Sequence, residues 1–195
     1  VPQVDAATLH LGPADLGAYV GGLQIVAVDI NAPAQNQPVH INAQVTMART
    51  PVSLTATVGA AASLLAQKAT APVPLELILR AGDANLTVTG TVAHPEALSG
   101  ADLMVNASIP NLAALSALAH RPLPALTQIA LQSHLSDANG GFEHGATLQG
   151  LKLTTAQGDL AGDIGAVNGP PPALTGNLHA GRIDADASLA AIGKP

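Results

Sequence analysis

The chain has 195 residues, of which 48% are hydrophobic, 10% charged and 1% aromatic, with a net charge of −6 and no cysteine. That length makes one or two domains, the Lys and Arg residues are spread singly rather than as a basic patch for nucleic acid or anionic lipid, and the absent thiols exclude disulfides and cysteine-ligated zinc. Tyr19 and Phe142 are the only aromatic residues, so the interior must be built from Ala, Leu, Val and Ile, which suits thin layers better than a thick centre.

In chain order, residues 4–12 predict a short strand, with Ala7, Leu9 and Leu11 alternating against Ala6, Thr8 and His10. Residues 13–22 read as a connection with one helical turn at 15–20. The β-branched run 23–30 predicts a strand, and the polar, proline-bounded 31–38 predicts a loop. In 39–47, Val39, Ile41, Ala43, Val45 and Met47 alternate with His40, Asn42, Gln44 and Thr46. That is the period of a strand with one apolar face. Residues 51–58 and 73–80 repeat it, separated by a helix expected over 60–67. Gly82-Asp83 is a hairpin signal, and 86–92 predicts the next strand.

Residues 101–109 form a strand with Leu103, Val105, Ala107 and Ile109 on one face. Pro110, lacking an N–H, is expected to stop its ladder. Asn111 is expected to cap a helix over 112–119 carrying Leu112, Leu115 and Leu118, and the prolines of 121–124 to end it. Further strands are predicted at 126–135, 142–155, 159–167 and 174–182, with a turn at 139–141 and a rigid loop at 168–172. Gly145 and Gly150 mark a bulge or bend. The tail 183–191 predicts a last helical turn. About ten short strands punctuated by turn residues argue for an all-β architecture, with two or three short helices. The aliphatic face running through these strands requires another layer, its own curl or a ligand to cover it.

Motifs for catalysis are missing. The sequence has no G-x-S-x-G and no G-x-x-x-x-G-K-[ST], so no enzyme, metal or cofactor is expected. His94, His120, His134 and His144 lack tight ligand spacing, and Glu143-His144 would point to opposite faces of a strand. Asp184 and Asp186 form a D-x-D without the further carboxylates of a calcium loop. Asn85-Leu86-Thr87 and Asn106-Ala107-Ser108 match the glycosylation sequon by composition alone.

From about Val45 to Leu189 the chain resembles the AsmA family of bacterial envelope proteins. The resemblance is carried by a G-x-hydrophobic strand at 90–92 and an ADL-initiated strand at 101–109. A P-N-L-x-x-L helix at 110–115 and a PLP loop at 122–124 follow. A G-D-L-x-G strand at 158–162 and a P-x-L-x-G-x-L-x-A-x-x-I-D ending at 172–184 complete the order. The resemblance implies an elongated, curved, mostly antiparallel sheet forming a groove or half-barrel with an apolar concave face, akin to bridge-like lipid-transfer proteins. It implies a single segment over 1–195, expected to be a fragment of a longer chain. That protein would sit in the periplasm, anchored in the inner membrane through a segment outside this chain, and act in phospholipid transport and outer-membrane homeostasis. Phospholipid or fatty acyl chains are the implied partners. A different reading is a structural or assembly-assisting protein that acts in outer-membrane protein biogenesis and recruits an envelope protein through a sheet edge or surface. The candidate lipid-facing residues are Leu86, Val88, Leu103, Val105, Ile129, Leu131, Leu160, Ile164, Leu174 and Leu178.

Overall fold

Strands joined by short turns pair antiparallel with their sequence neighbours, and this chain does little else. The computed structural model describes residues 6–16, 22–65, 71–138, 140–184 and 186. Its strands are β1 (Ala7–Leu11), β2 (Ala14–Asp15), β3 (Leu23–Ala32), β4 (Pro38–Met47), β5 (Thr50–Ala60), β6 (Val73–Ala81), β7 (Ala84–His94), β8 (Ser99–Asn111), β9 (Thr127–Ala138), β10 (Gly141–Thr155), β11 (Gly158–Val167) and β12 (Ala173–His179). They form one 12-stranded sheet in the order β1-β3-β4-β5-β6-β7-β8-β9-β10-β11-β12, with β2 on the same side of β3 as β1. Every strand pairing among the described residues is antiparallel and the sheet is not closed. The fold is all-β, as the alternation predicts.

The helices are short. α1 (Ala61–Leu65) follows β5, and residues 66–67 of the expected helix lie outside the described residues. After β8 a 3-10 turn at Leu112–Leu115 leads into α2 (Ser116–Ala119). Asn111 caps the 3-10 turn, its side-chain oxygen accepting from the Ala113 N–H at 3.0 Å.

Several boundaries differ from the sequence reading. Residues 14–15 are a strand, where a helical turn over 15–20 was expected; positions 17–20 lie outside the described residues. β3 runs on to Ala32, shortening the expected loop. Pro110 does not end β8, because Asn111 still pairs with Thr127. The residue facing Pro110 is Gln128, whose φ of 53° takes it out of the extended ladder, so the missing N–H falls where the partner strand is already irregular. Glu143 and His144 do not part to opposite faces but meet at 3.3 Å, because the register of β9 and β10 breaks between Gly141 and Ala146. β12 ends at His179, short of 182, and the pairing resumes only at Ile183 opposite Gly158. The tail beyond 186 lies outside the described residues.

Irregularities at glycines shape the sheet. Gly150, with φ of 58°, sits in a bulge where the register of β10 shifts between Leu148 and Leu151, as the sequence predicts. Gly90 in β7 and Gly162 in β11 adopt φ of 151° and 141° inside their strands, a region closed to other residues. A Cβ at either would run into a neighbouring backbone, the Asp102 carbonyl oxygen in one case and that of Asn177 in the other. Glycine kinks and bulges are the devices that curve a sheet. The core is thin: Val39, Ala56, Val73, Ala101, Leu103, Ile129 and Leu151 are 3–9% exposed.

Candidate functional site

Residues directly opposite in an antiparallel pair point to the same face, so the register assigns every side chain in the sheet. One row runs Leu11, Val28, Ala43, Leu54, Leu79, Leu86, Ala107, Leu131, Leu153 and Leu160, one residue per strand from β1 to β11. At about 4.8 Å per strand it is roughly 43 Å long. A second row on the same face runs Leu9, Ile30, Ile41, Ala56, Leu77, Val88, Val105 and Ser133. The opposite face carries Asn31, His40, Thr57, Glu76, Thr89, Met104 and His134 in sequence across the strands. The described strands therefore form a single sheet with one mainly aliphatic and one mainly polar surface.

The sequence-predicted residues all fall on the aliphatic face. Leu86 and Val88 of β7 adjoin Val105 and Leu103 of β8, and Ile129 and Leu131 of β9 continue past them. Leu160 and Ile164 of β11 meet Leu153 and Leu148 of β10. Leu174 and Leu178 of β12 lie opposite Ala166 and Gly162. They are the outermost, 77% and 43% exposed.

Leu148, Leu151 and Leu153 of β10 belong to this face and were missed by strict alternation. Their spacing of three and then two residues is not that of a regular strand. The bulge at Gly150 absorbs the extra residue and returns all three to one side. Gly150 was the available signal. Ser133 was also missed. It is the one polar residue of the second row, 1% exposed, and its hydroxyl donates to the Gln149 carbonyl at 3.1 Å. Asp137, opposite Ala146, likewise turns onto the backbone, accepting from the Ala101 N–H at 2.6 Å. These polar groups on the aliphatic face are thus satisfied by main chain and offer no chemistry to a substrate.

The polar face carries two close histidine–aspartate contacts. His10 and His134 lie 2.5 Å from Asp29 and Asp102. The recesses that open on it among the described residues include one of about 390 Å³ over Ala130 between Asn106, Ser108, Gln132, Lys152 and Thr154, one of about 260 Å³ beside Gln44 and Arg80, and one of about 460 Å³ at Gln24, Thr46 and Arg49. Of the predicted residues only Leu131 borders one of them. None gathers an acid, a base and a nucleophile. Among the described residues no three His, Asp or Glu side chains come together to hold a metal ion, and no helix is long and apolar enough to cross a membrane.

Asp159 has a structural role. Its carboxylate accepts from the Gly181 and Arg182 N–H groups at 2.6 and 3.0 Å. These bonds, that to Arg182 first, hold its pKa below the ordinary value of 3.8.

No family model, no curated protein and no solved structure matches the chain.

Proposed function

We propose that the chain is a non-enzymatic lipid-handling module, an AsmA-like β-groove segment that shelters acyl chains on its aliphatic face. The observation that supports this reading is the uninterrupted aliphatic row from Leu11 to Leu160 in a sheet that, among the described residues, has no second sheet to pack against. Such a surface in water is costly, and each acyl CH₂ laid on it recovers up to about 0.8 kcal/mol. Side chains without aromatic bulk accept a flexible chain in many positions, which suits lipid tails better than a shaped ligand. The backbone is satisfied along the ladders, so a tail laid along the Leu11–Leu160 row meets aliphatic side chains. Phospholipid or fatty acid is the ligand class, and the bacterial periplasm, beside an inner-membrane anchor outside this chain, is the place where such a module would support outer-membrane homeostasis.

The test is mass spectrometry of an organic extract of the purified protein, paired with uptake of a fluorescent fatty acid. Co-purified acyl lipid and saturable uptake are expected. Val88→Asp and Val105→Asp, neighbours in the centre of the face, should abolish uptake while circular dichroism still shows the sheet. A clean extract together with no uptake would overturn the proposal.

A further inference from the structure

The two edges of the sheet are built differently. On the β3 side the edge is broken. β1 and the two-residue β2 share β3's outer side, Gly12-Pro13 separates them, and β3 shifts register between Ile25 and Ala27. Short strands, proline and bulges are the usual means of blunting an edge against strand addition. On the other side β12 carries none of them. Its sequence is ALTGNLH, with no charged Lys, Arg, Asp or Glu and no proline, every residue is exposed, and it pairs with β11 alone among the described residues.

β12 is also self-complementary. Place a two-fold axis perpendicular to the sheet just outside the β12 edge, level with Gly176, and residues equally far along the strand from Gly176 face each other in an antiparallel pair with a second copy. Leu174 then meets Leu178 of the partner subunit on the aliphatic face, and Thr175 meets Asn177 of the partner subunit on the polar face. Ala173 meets His179 of the partner subunit. Leucine opposes leucine on the aliphatic face, an uncharged polar side chain opposes another at Thr175 and Asn177, and no Lys, Arg, Asp or Glu enters the pairing. The pairing covers Leu174 and Leu178, the exposed leucines at this edge of the aliphatic face, and leaves both aliphatic faces on one side of the joined sheet.

We propose that β12 is a homodimerisation strand, pairing antiparallel with β12 of a second copy in the register centred on Gly176. The interface is one strand wide and belongs to the weak, reversible class. The proposal does not rest on lipid binding.

Sedimentation of the 195-residue protein, at concentrations up to about 1 mM to reach weak association, tests it. A monomer–dimer equilibrium is expected. Thr175→Lys combined with Asn177→Lys puts lysine opposite lysine twice and should weaken the dimer about tenfold or more. Thr175→Lys combined with Asn177→Glu puts opposite charges there and should keep it. Because the chain has no cysteine, the register can be read directly. Thr175→Cys and Asn177→Cys proteins should form a disulfide when mixed far faster than either does alone, and this reading stands even if the double-lysine protein fails to fold. A monomer throughout would leave the edge to some other strand and overturn the proposal. So would a dimer indifferent to both charge pairs, loss of the dimer in both, or an open series of larger species, which means head-to-tail pairing of β12 with β1.

Discussion

Single residues decide how closely the strands of this sheet approach. Gly90 sits in the middle of β7 at φ of 151° with the Asp102 carbonyl where a Cβ would be. An alanine there needs both a strained backbone and a shift of β8. Gly90→Ala is expected to lower the unfolding free energy by about 3 kcal/mol, read from the urea midpoint. Gly12→Ala, whose added Cβ meets open space, should stay within about 0.5 kcal/mol. Equal costs would mean that β7 and β8 do not come so close. In the sequence Gly90 is one glycine among 19; composition could not rank it, because its constraint comes from a carbonyl on the neighbouring strand.

At the scale of elements, the two segments that carried the later part of the family resemblance prove to be partners. The G-D-L-x-G of β11 and the L-x-G-x-L ending of β12 pair antiparallel, with Gly162 opposite Leu178 and Ile164 opposite Gly176. Asp159 then fills the gap after His179 by accepting the N–H groups of Gly181 and Arg182 before Ile183 rejoins Gly158. These bonds favour the charged carboxylate and lower its pKa below 3.8. The stabilisation is therefore complete above the ordinary carboxylate value and is lost as pH falls through the lowered one. In NMR titrations the Gly181 and Arg182 amides should move together with a midpoint below 3.8, and the transition should vanish in Asp159→Asn. A midpoint at or above that value would contradict the assignment. Alternation alone located these two strands to within a few residues. It missed the break at 180–182, which is set by a carboxylate on the neighbouring strand, and the continuation of β8 past Pro110, which is tolerated because Gln128 opposite it is already out of the ladder.

On the scale of the whole molecule, a sheet with few deeply buried side chains gains less from folding than a two-layer domain of the same length, and a ligand on the aliphatic face would add to what the chain lacks. A long-chain fatty acid at about a hundredfold its dissociation constant should stabilise the protein by about 2.7 kcal/mol, a rise in Tm of roughly 5–10 °C. Val88→Asp should remove the shift. An unchanged Tm in the unsubstituted protein would count against the aliphatic face as a binding surface. The sequence by itself determined the all-β class, the turn at Gly82-Asp83, the Asn111 cap and the sorting of aliphatic from polar side chains within most strands, because each follows from chemistry local to a few residues. The open, mostly antiparallel sheet was expected and is found; only the tertiary structure decided that the bulge at Gly150 returns Leu148, Leu151 and Leu153 to the common face, that the separate stripes align into rows crossing the sheet, and that the two edges differ. Those properties depend on register between strands, and register is set by pairs of residues far apart in the chain.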